Sequence, residues 1–389
     1  MSTEINKSKL FTASCISLVV TAMSFGLRAG MVNTWAAEFD LSIEQVGWIN
    51  GTAFYGFTLA MIFGGPLCDV IGMKRIIYIA FFGHLIGIIL TIISTSFWPL
   101  YISTLFIGIA NGMVEAACNP LVATSFSTEK TKMLNRFHVW FPGGIVIGGL
   151  IGYFLGNAGI SWQIQIATML VPTILYGFLF LREKFPVTER VTSGVSTGDM
   201  FKACAAPLFI VMVILMMITA STELGTNQLI GKLLESTGVA PLLVLVYISG
   251  LMMVGRTFAG NFAHAISPAG MLLFSAIFST IGLVWLSYAD GYITFVAATV
   301  FAVGICFFWP TMIAFVAENL PKTGALGLSI MGGAGMLSVS FVLPVLGKFL
   351  DNQSGAETLR GFAILPAFLI LAFAGLFFYS RTKLKTVNH

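Results

Sequence analysis

The chain has 389 residues, 57% of them hydrophobic and only 9% charged, with a formal net charge of +4. A soluble domain carries about 25% charged residues, so this composition excludes a water-soluble globule, and the slight basic excess gives no reason to expect nucleic acid. With a mean hydropathy of +0.93, the chain belongs in lipid. There every backbone polar group must be satisfied internally, which leaves helices or closed barrels. The apolar runs approach the ~20 residues of a spanning helix and lack the alternation of barrel strands.

In chain order these runs lie at about 10–36, 46–70, 76–96, 98–125, 137–157, 162–181, 205–231, 240–262, 269–288, 292–317, 325–350 and 359–380. The polar start MSTEINKSKLF leads into the first run without a small-residue cleavage site, so that run reads as a retained helix. Fifteen Lys and Arg residues fall before the first run, in alternate loops or after the last, against Lys232, Lys348 and Arg360 in the opposite loops. That bias predicts both termini on the cytoplasmic side of an inner (plasma) membrane. The polar stretch 182–204 divides the runs six and six, giving an N-terminal bundle (1–181), a linker and a C-terminal bundle (205–389). Gly65 and Gly255, Pro120 and Pro310, and Gly143 and Gly333 each stand 190 residues apart, as an internal repeat would place them. The expectation is an all-α membrane protein of about twelve spanning helices in two pseudo-symmetric bundles, a build common among transporters. The five cysteines have no CxxC spacing and read as small core residues.

The loop after the second run reads GGPLCDVIGMKR. Its Gly65, Asp69, Gly72, Lys74 and Arg75 resemble the major facilitator signature at that position. Glycines permit close helix approach, and a carboxylate at a helix end can pair in one conformation only, so these residues are gating candidates. Arg256, in GRTFAGNF, is their counterpart in the second half.

Few ionisable residues interrupt the runs: Arg28, His84, Glu115 and Glu223. A charge at the bilayer centre costs about 2.5–3.5 kcal/mol even on the lenient insertion scale. Asn111 and Asn119 share the helical face of Glu115, and Thr219, Asn227 and Gln228 accompany Glu223. Arg28 has Ser24 before it and Asn33 after it. Asn33, Asn111, Asn119, Asn227, Gln228 and the two glutamates are therefore candidate substrate contacts. Trp140 and Trp309 could add flat apolar faces, and amides with aromatics suit a sugar. Glu115 is the candidate proton carrier, its proton affinity alternating if Arg28 approaches and withdraws; a permanent Arg28–Glu115 pair is the structural alternative. Glu223 suits substrate contact or proton carriage equally. His84 reads as a satisfied core histidine, and Asn135 and His138 as gate residues at the mouth of the fifth run.

The segment NGMVEAACNPLVATSF…KTKMLNRFHVWFPGGIVIGGLIG (111–152) resembles the fucose/galactose:proton symporter branch of the major facilitators in Glu115, Asn119, Pro120, Leu134, Asn135 and His138. ASTELGTNQ (220–228), FFWPTMIAF (307–315) and GGAGMLSVSFVLPVLGKFLD (332–351) are similar to later helices of that branch. The resemblance implies import of a hexose or deoxyhexose with a proton, Glu115 taking part in coupling and sugar binding. Members carry an acid near the position of Arg28 or Ala29. An arginine there opens the alternative of a small organic or sugar acid held by Arg28, since guanidinium grips carboxylate bidentately. No HExxH, GxSxG or nucleotide-binding loop is present, so no enzyme is expected. No cofactor is expected either; the coupling ion is a proton, with sodium as the alternative. The direction of flux stays open, and a monomer is expected in the bilayer.

Overall fold

The computed structural model describes residues 5–128, 130–188, 197–257 and 266–387. Eleven described helices are long and apolar enough to cross a membrane, and a twelfth is shorter. They are α1 (Lys7–Glu38), α2 (Ile43–Ile71), α3 (Met73–Ile92), α4 (Phe97–Ser125), α5 (Arg136–Asn157), α6 (Trp162–Leu181), α7 (Pro207–Gln228), α8 (Pro241–Thr257), α9 (Pro268–Leu286), α10 (Ile293–Asn319), α11 (Leu326–Asn352) and α12 (Gly355–Ser380). They coincide with the twelve apolar runs, and no strand occurs among the described residues. Twelve crossings return both termini to one face, called here the near face; the opposite one is the far face.

Local chemistry sets the ends. Ser42 with Gln45, and Ser354 with Glu357, form capping boxes at the starts of α2 and α12, each satisfying donors that a helix start leaves open. Gly72, at φ +86°, turns the chain from α2 into α3, a conformation that costs a side-chain-bearing residue but not glycine. Prolines lie inside α2, α4 and α11 at Pro66, Pro120 and Pro344.

Within each half, small residues bring the helices together, as packing in lipid requires. A Cβ added at Gly108 of α4 would stand 2.3 Å from the Ala53 carbonyl oxygen of α2. In the second half, one added at Gly304 of α10 would stand 2.2 Å from the Ser279 nitrogen of α9. On the near face the chain after α6 is tied back to its own half. Lys9 pairs with Glu183 at 2.8 Å, Lys74 Nζ donates to the Glu183 carbonyl at 2.8 Å, and Thr188 Oγ1 donates to Asp69 Oδ1 at 2.6 Å. Four of the gating candidates, Gly65, Asp69, Gly72 and Lys74, thus lie in or beside this near-face junction; Arg75 is exposed there.

The halves meet along α1–α7, α2–α11 and α5–α8. At the far end of the α2–α11 seam, Asp351 accepts from the backbone N–H groups of Ile43 at 2.8 Å and Glu44 at 2.9 Å. Asn33 Nδ2 donates to Glu235 Oε1 at 3.2 Å between α1 and the end of α7. Deeper in, Gln228 Nε2 donates to the Phe25 carbonyl at 3.2 Å and Thr58 Oγ1 to the Gly333 carbonyl at 2.9 Å. These ties run from mid-height to the far face, which is closed.

α7 is interrupted where it is most polar. An α-helix over Pro207–Ala220 gives way to a π-turn over Ser221–Gly225, a short stretch Thr226–Gln228 and, after a break at Leu229, a last turn over Ile230–Leu233. Such π-bulges concentrate at functional sites.

Candidate functional site

Two hydrogen bonds fix the heights of the polar side chains. Asn111 Nδ2 donates to Ser24 Oγ at 3.0 Å, which sets α4 level with α1 at that point. Gln228 beside Phe25 does the same for α7. α1 and α4 run in opposite directions, so Arg28 lies one turn toward the far face and Glu115 one turn toward the near face. Their Cα atoms are thus about 12 Å apart along the axis at ~1.5 Å rise per residue. By the same reckoning Glu115 and Glu223 stand at one height in opposite halves.

Glu115 is 8% exposed. Its Oε2 accepts from Asn119 Nδ2 at 2.7 Å, and Asn119 Oδ1 meets His138 Nε2 at 2.9 Å. The carboxylate therefore reaches the start of α5 through one amide, and no cation pairs with it among the described residues. His138 is bonded to this chain rather than standing free at a gate. The helix Lys130–His138 carries Asn135, whose side chain lies outside the described residues.

Arg28 makes no ion pair or hydrogen bond with Glu115. Buried to 1% exposure, it donates from Nε to the Ser24 carbonyl at 2.9 Å and from Nη1 to the Asn50 carbonyl at 3.2 Å. Its guanidinium carbon lies 4.9 Å from the centre of the Phe25 ring. The permanent Arg28–Glu115 pair weighed from the sequence is absent from this conformation. Helices α1 and α4 also belong to one half, so rocking one half against the other would not bring the two side chains together.

In the second half the cation finds a carboxylate. Arg256 Nη2 is 3.3 Å from Glu223 Oε1, and its Nε donates to the Cys306 carbonyl at 3.2 Å. Arg256, expected as a gate residue by its place in the repeat, therefore reaches into the bundle and holds α7, α8 and α10 together. Trp309 packs over Gly335 and Gly332 of α11, which leave the room its ring fills. Trp140, 43% exposed, lies beside Gly143 of α5, near Met253 of α8.

Two expected substrate contacts are occupied otherwise. Asn111 is fully buried: its Oδ1 meets His84 Nε2 at 2.8 Å while its Nδ2 holds Ser24. His84 Nδ1 meets the Tyr176 hydroxyl at 3.0 Å, so His84 is the satisfied core histidine expected, and Asn111 serves it. Asn33 is the far-face tie to Glu235. Asn227 and Gln228 are buried at 2% exposure, each with an unpartnered side-chain oxygen. Asn50, whose amide has no partner on either atom, escaped the sequence reading; the signal was a lone amide in the otherwise apolar stretch around it.

Twelve helices in two halves, meeting along a seam with charged and amide side chains at mid-height, define a membrane transporter. A family model described as Major Facilitator Superfamily matches residues 14–324, and the chain belongs to that superfamily, whose members are transporters and not enzymes. The cis,cis-muconate transport protein of Acinetobacter baylyi is 26% identical over 167 residues, 42% of this chain and 40% of that protein. The chain spans roughly a third to a half of the length of the first curated relatives it matches. Among solved structures, a D-xylose-proton symporter superposes with a TM-score of 0.80 at 14% identity, over 94% of this chain and 96% of that one. A single-site variant of the Escherichia coli fucose:proton symporter FucP gives 0.68 at 16%, over 94% and 98%. At these identities the likeness shows the fold alone, and the chain is a multi-pass membrane protein of that fold.

Proposed function

We propose that the protein imports a small polyhydroxylated solute of monosaccharide size together with a proton, by alternating access across an inner membrane with both termini in the cytoplasm. The carrying observation is Glu115: a carboxylate buried at mid-height, hydrogen-bonded through Asn119 to His138, with no cation beside it among the described residues. A carboxylate without a counter-charge in a membrane interior is expensive, and binding a proton removes that cost. The pairing of this chain with proton symporters of xylose and fucose by fold supports the same reading. In it, Glu115 takes the coupling proton, hydroxyls of the solute meet Glu115, Asn119 and the Glu223–Arg256 pair, and Trp140 and Trp309 flank the ring. Arg28, in the same half as Glu115 and one helical turn beyond the Asn111 level, does not switch Glu115.

The test is uptake into proteoliposomes under an inward proton gradient, with a panel of hexoses, deoxyhexoses and sugar acids. Glu115→Gln should abolish pH-driven accumulation while leaving solute exchange measurable. Accumulation that survives the substitution would remove Glu115 as the coupling group, and accumulation that follows sodium instead of pH would replace the ion.

A further inference from the structure

We infer that the solute carries a single carboxylate and that Arg28 is the residue that selects it. This rests on the transporter reading above and names the substrate class of the same protein. Arg28 is 1% exposed and permanently charged, yet both of its acceptors are neutral backbone carbonyls. Its Nη2 has no partner. No acidic side chain pairs with it among the described residues, whereas Arg256 in the other half has Glu223 at 3.3 Å.

A buried guanidinium is retained at heavy cost unless an anion completes it. The surroundings are built to receive one. Asn50, whose carbonyl already holds Nη1, leaves its own amide unpartnered, and Gln228, which donates to the carbonyl of Phe25, the residue whose ring lies 4.9 Å from the guanidinium carbon, leaves its Oε1 unpartnered. Asn50 can donate to a carboxylate oxygen, and Gln228 Oε1 can accept from a neighbouring hydroxyl. Arg28 and Asn50 stand on α1 and α2 of one half, and Gln228 on α7 of the other is tied to the Phe25 carbonyl of α1 across the closed far-side seam, so separating the halves there breaks that tie. A guanidinium with one unpartnered nitrogen matches the single charge of a carboxylate, not the double charge of a phosphate ester. Unpaired amides beside it match hydroxyls on adjacent carbons. The class is a hydroxylated monocarboxylate: a sugar acid.

The purified full-length protein is titrated with gluconate, glucuronate, glucose and glucose 6-phosphate, with thermal shift and proteoliposome counterflow as readouts. At least one acid should bind about 10-fold or more tightly than glucose, as expected for a charge-assisted hydrogen bond. Arg28→Gln should erase that preference. Should Arg28→Gln fail to fold, Asn50→Asp places a carboxylate beside the guanidinium; the acid should then lose about 10-fold or more affinity relative to glucose.

Glucose binding as tightly as the acids, preference for glucose 6-phosphate, binding of none of the acids, or equal losses for acid and glucose in both variants would each overturn the inference. Acid binding intact with no pH-driven accumulation would sink proton coupling and leave the anion site standing. Proton-driven uptake of glucose in preference to the acids would do the reverse.

Discussion

Asp351 offers a quantitative handle on the closed far face. The first turn of α2 has free N–H groups at Ile43, Glu44 and Gln45. Ser42 Oγ takes that of Gln45 from within the helix. The other two are taken from across the seam by the two oxygens of Asp351. Removing a helix cap costs about 0.5–2 kcal/mol, and a carboxylate at a helix start contributes about 0.3–1 kcal/mol through the helix dipole. Asp351 is exposed, so water recovers part of both. Asp351→Asn, which keeps one acceptor and removes the charge, should therefore shift the balance toward far-side opening by about 1 kcal/mol, a factor of about 5. Asp351→Ala should shift it by up to about 2 kcal/mol, a factor of about 30.

Ser340 lies in the seam at 5% exposure, so Ser340→Cys reports opening through its reaction rate with a membrane-impermeant maleimide added from the far side. In a background lacking the five native cysteines, the rate should rise in the order parent, Asp351→Asn, Asp351→Ala. A rate unchanged within twofold in both variants would mean that the carboxylate decorates the seam without holding it.

Other substitutions test the remaining contacts. His84→Leu leaves the Tyr176 hydroxyl and Asn111 Oδ1 without partners and should cost roughly 2–6 kcal/mol, at about 1–3 kcal/mol per orphaned group, seen as a lower melting temperature; an unchanged melt would show the network to be dispensable. Glu223→Gln strands Arg256 and should lower the melting temperature sharply, while the double variant Glu223→Gln/Arg256→Gln should recover most of the melt without recovering transport. Gly108→Ala forces a methyl against the Ala53 carbonyl and should cost about 1–3 kcal/mol as overpacking, with Gly108→Val failing to give a monodisperse protein by size-exclusion chromatography.

The spans were legible because each is a run of apolar residues bounded by polar ones, and lipid admits nothing but helix over such a run. Glu115 and Asn119 were legible as a pair because the i, i+4 spacing places them on one face; His138 was read as a gate residue, and its bond to Asn119 came only from the structure. What failed was the pairing of charges across space. Arg28 settles on the carbonyls of Ser24 and Asn50, and nothing in an apolar run tells which backbone oxygens a guanidinium will find. Arg256 was assigned by its place in an approximate repeat, but a long side chain reaches the nearest carboxylate rather than the position its homologous residue occupies. Asn111 was read as facing a solute because it shares a stripe with Glu115, yet one turn along the helix it meets His84 instead. The π-turn in α7 left no mark in composition at all: Ser221–Gly225 would read as ordinary helix.

The α2–α11 seam is backbone against backbone: added Cβ atoms at Gly47, Gly51 and Gly347 would lie 2.5, 2.6 and 2.4 Å from carbonyl oxygens of the facing helix. Parting such a surface wets little hydrocarbon, at about 25 cal/mol per Å² of apolar area, so this seam adds little apolar burial to the hold on the closed far face. A carrier zipped by leucines would spend its gradient prying itself apart; one hinged on bare glycine knuckles can leave the choice of state to its cargo.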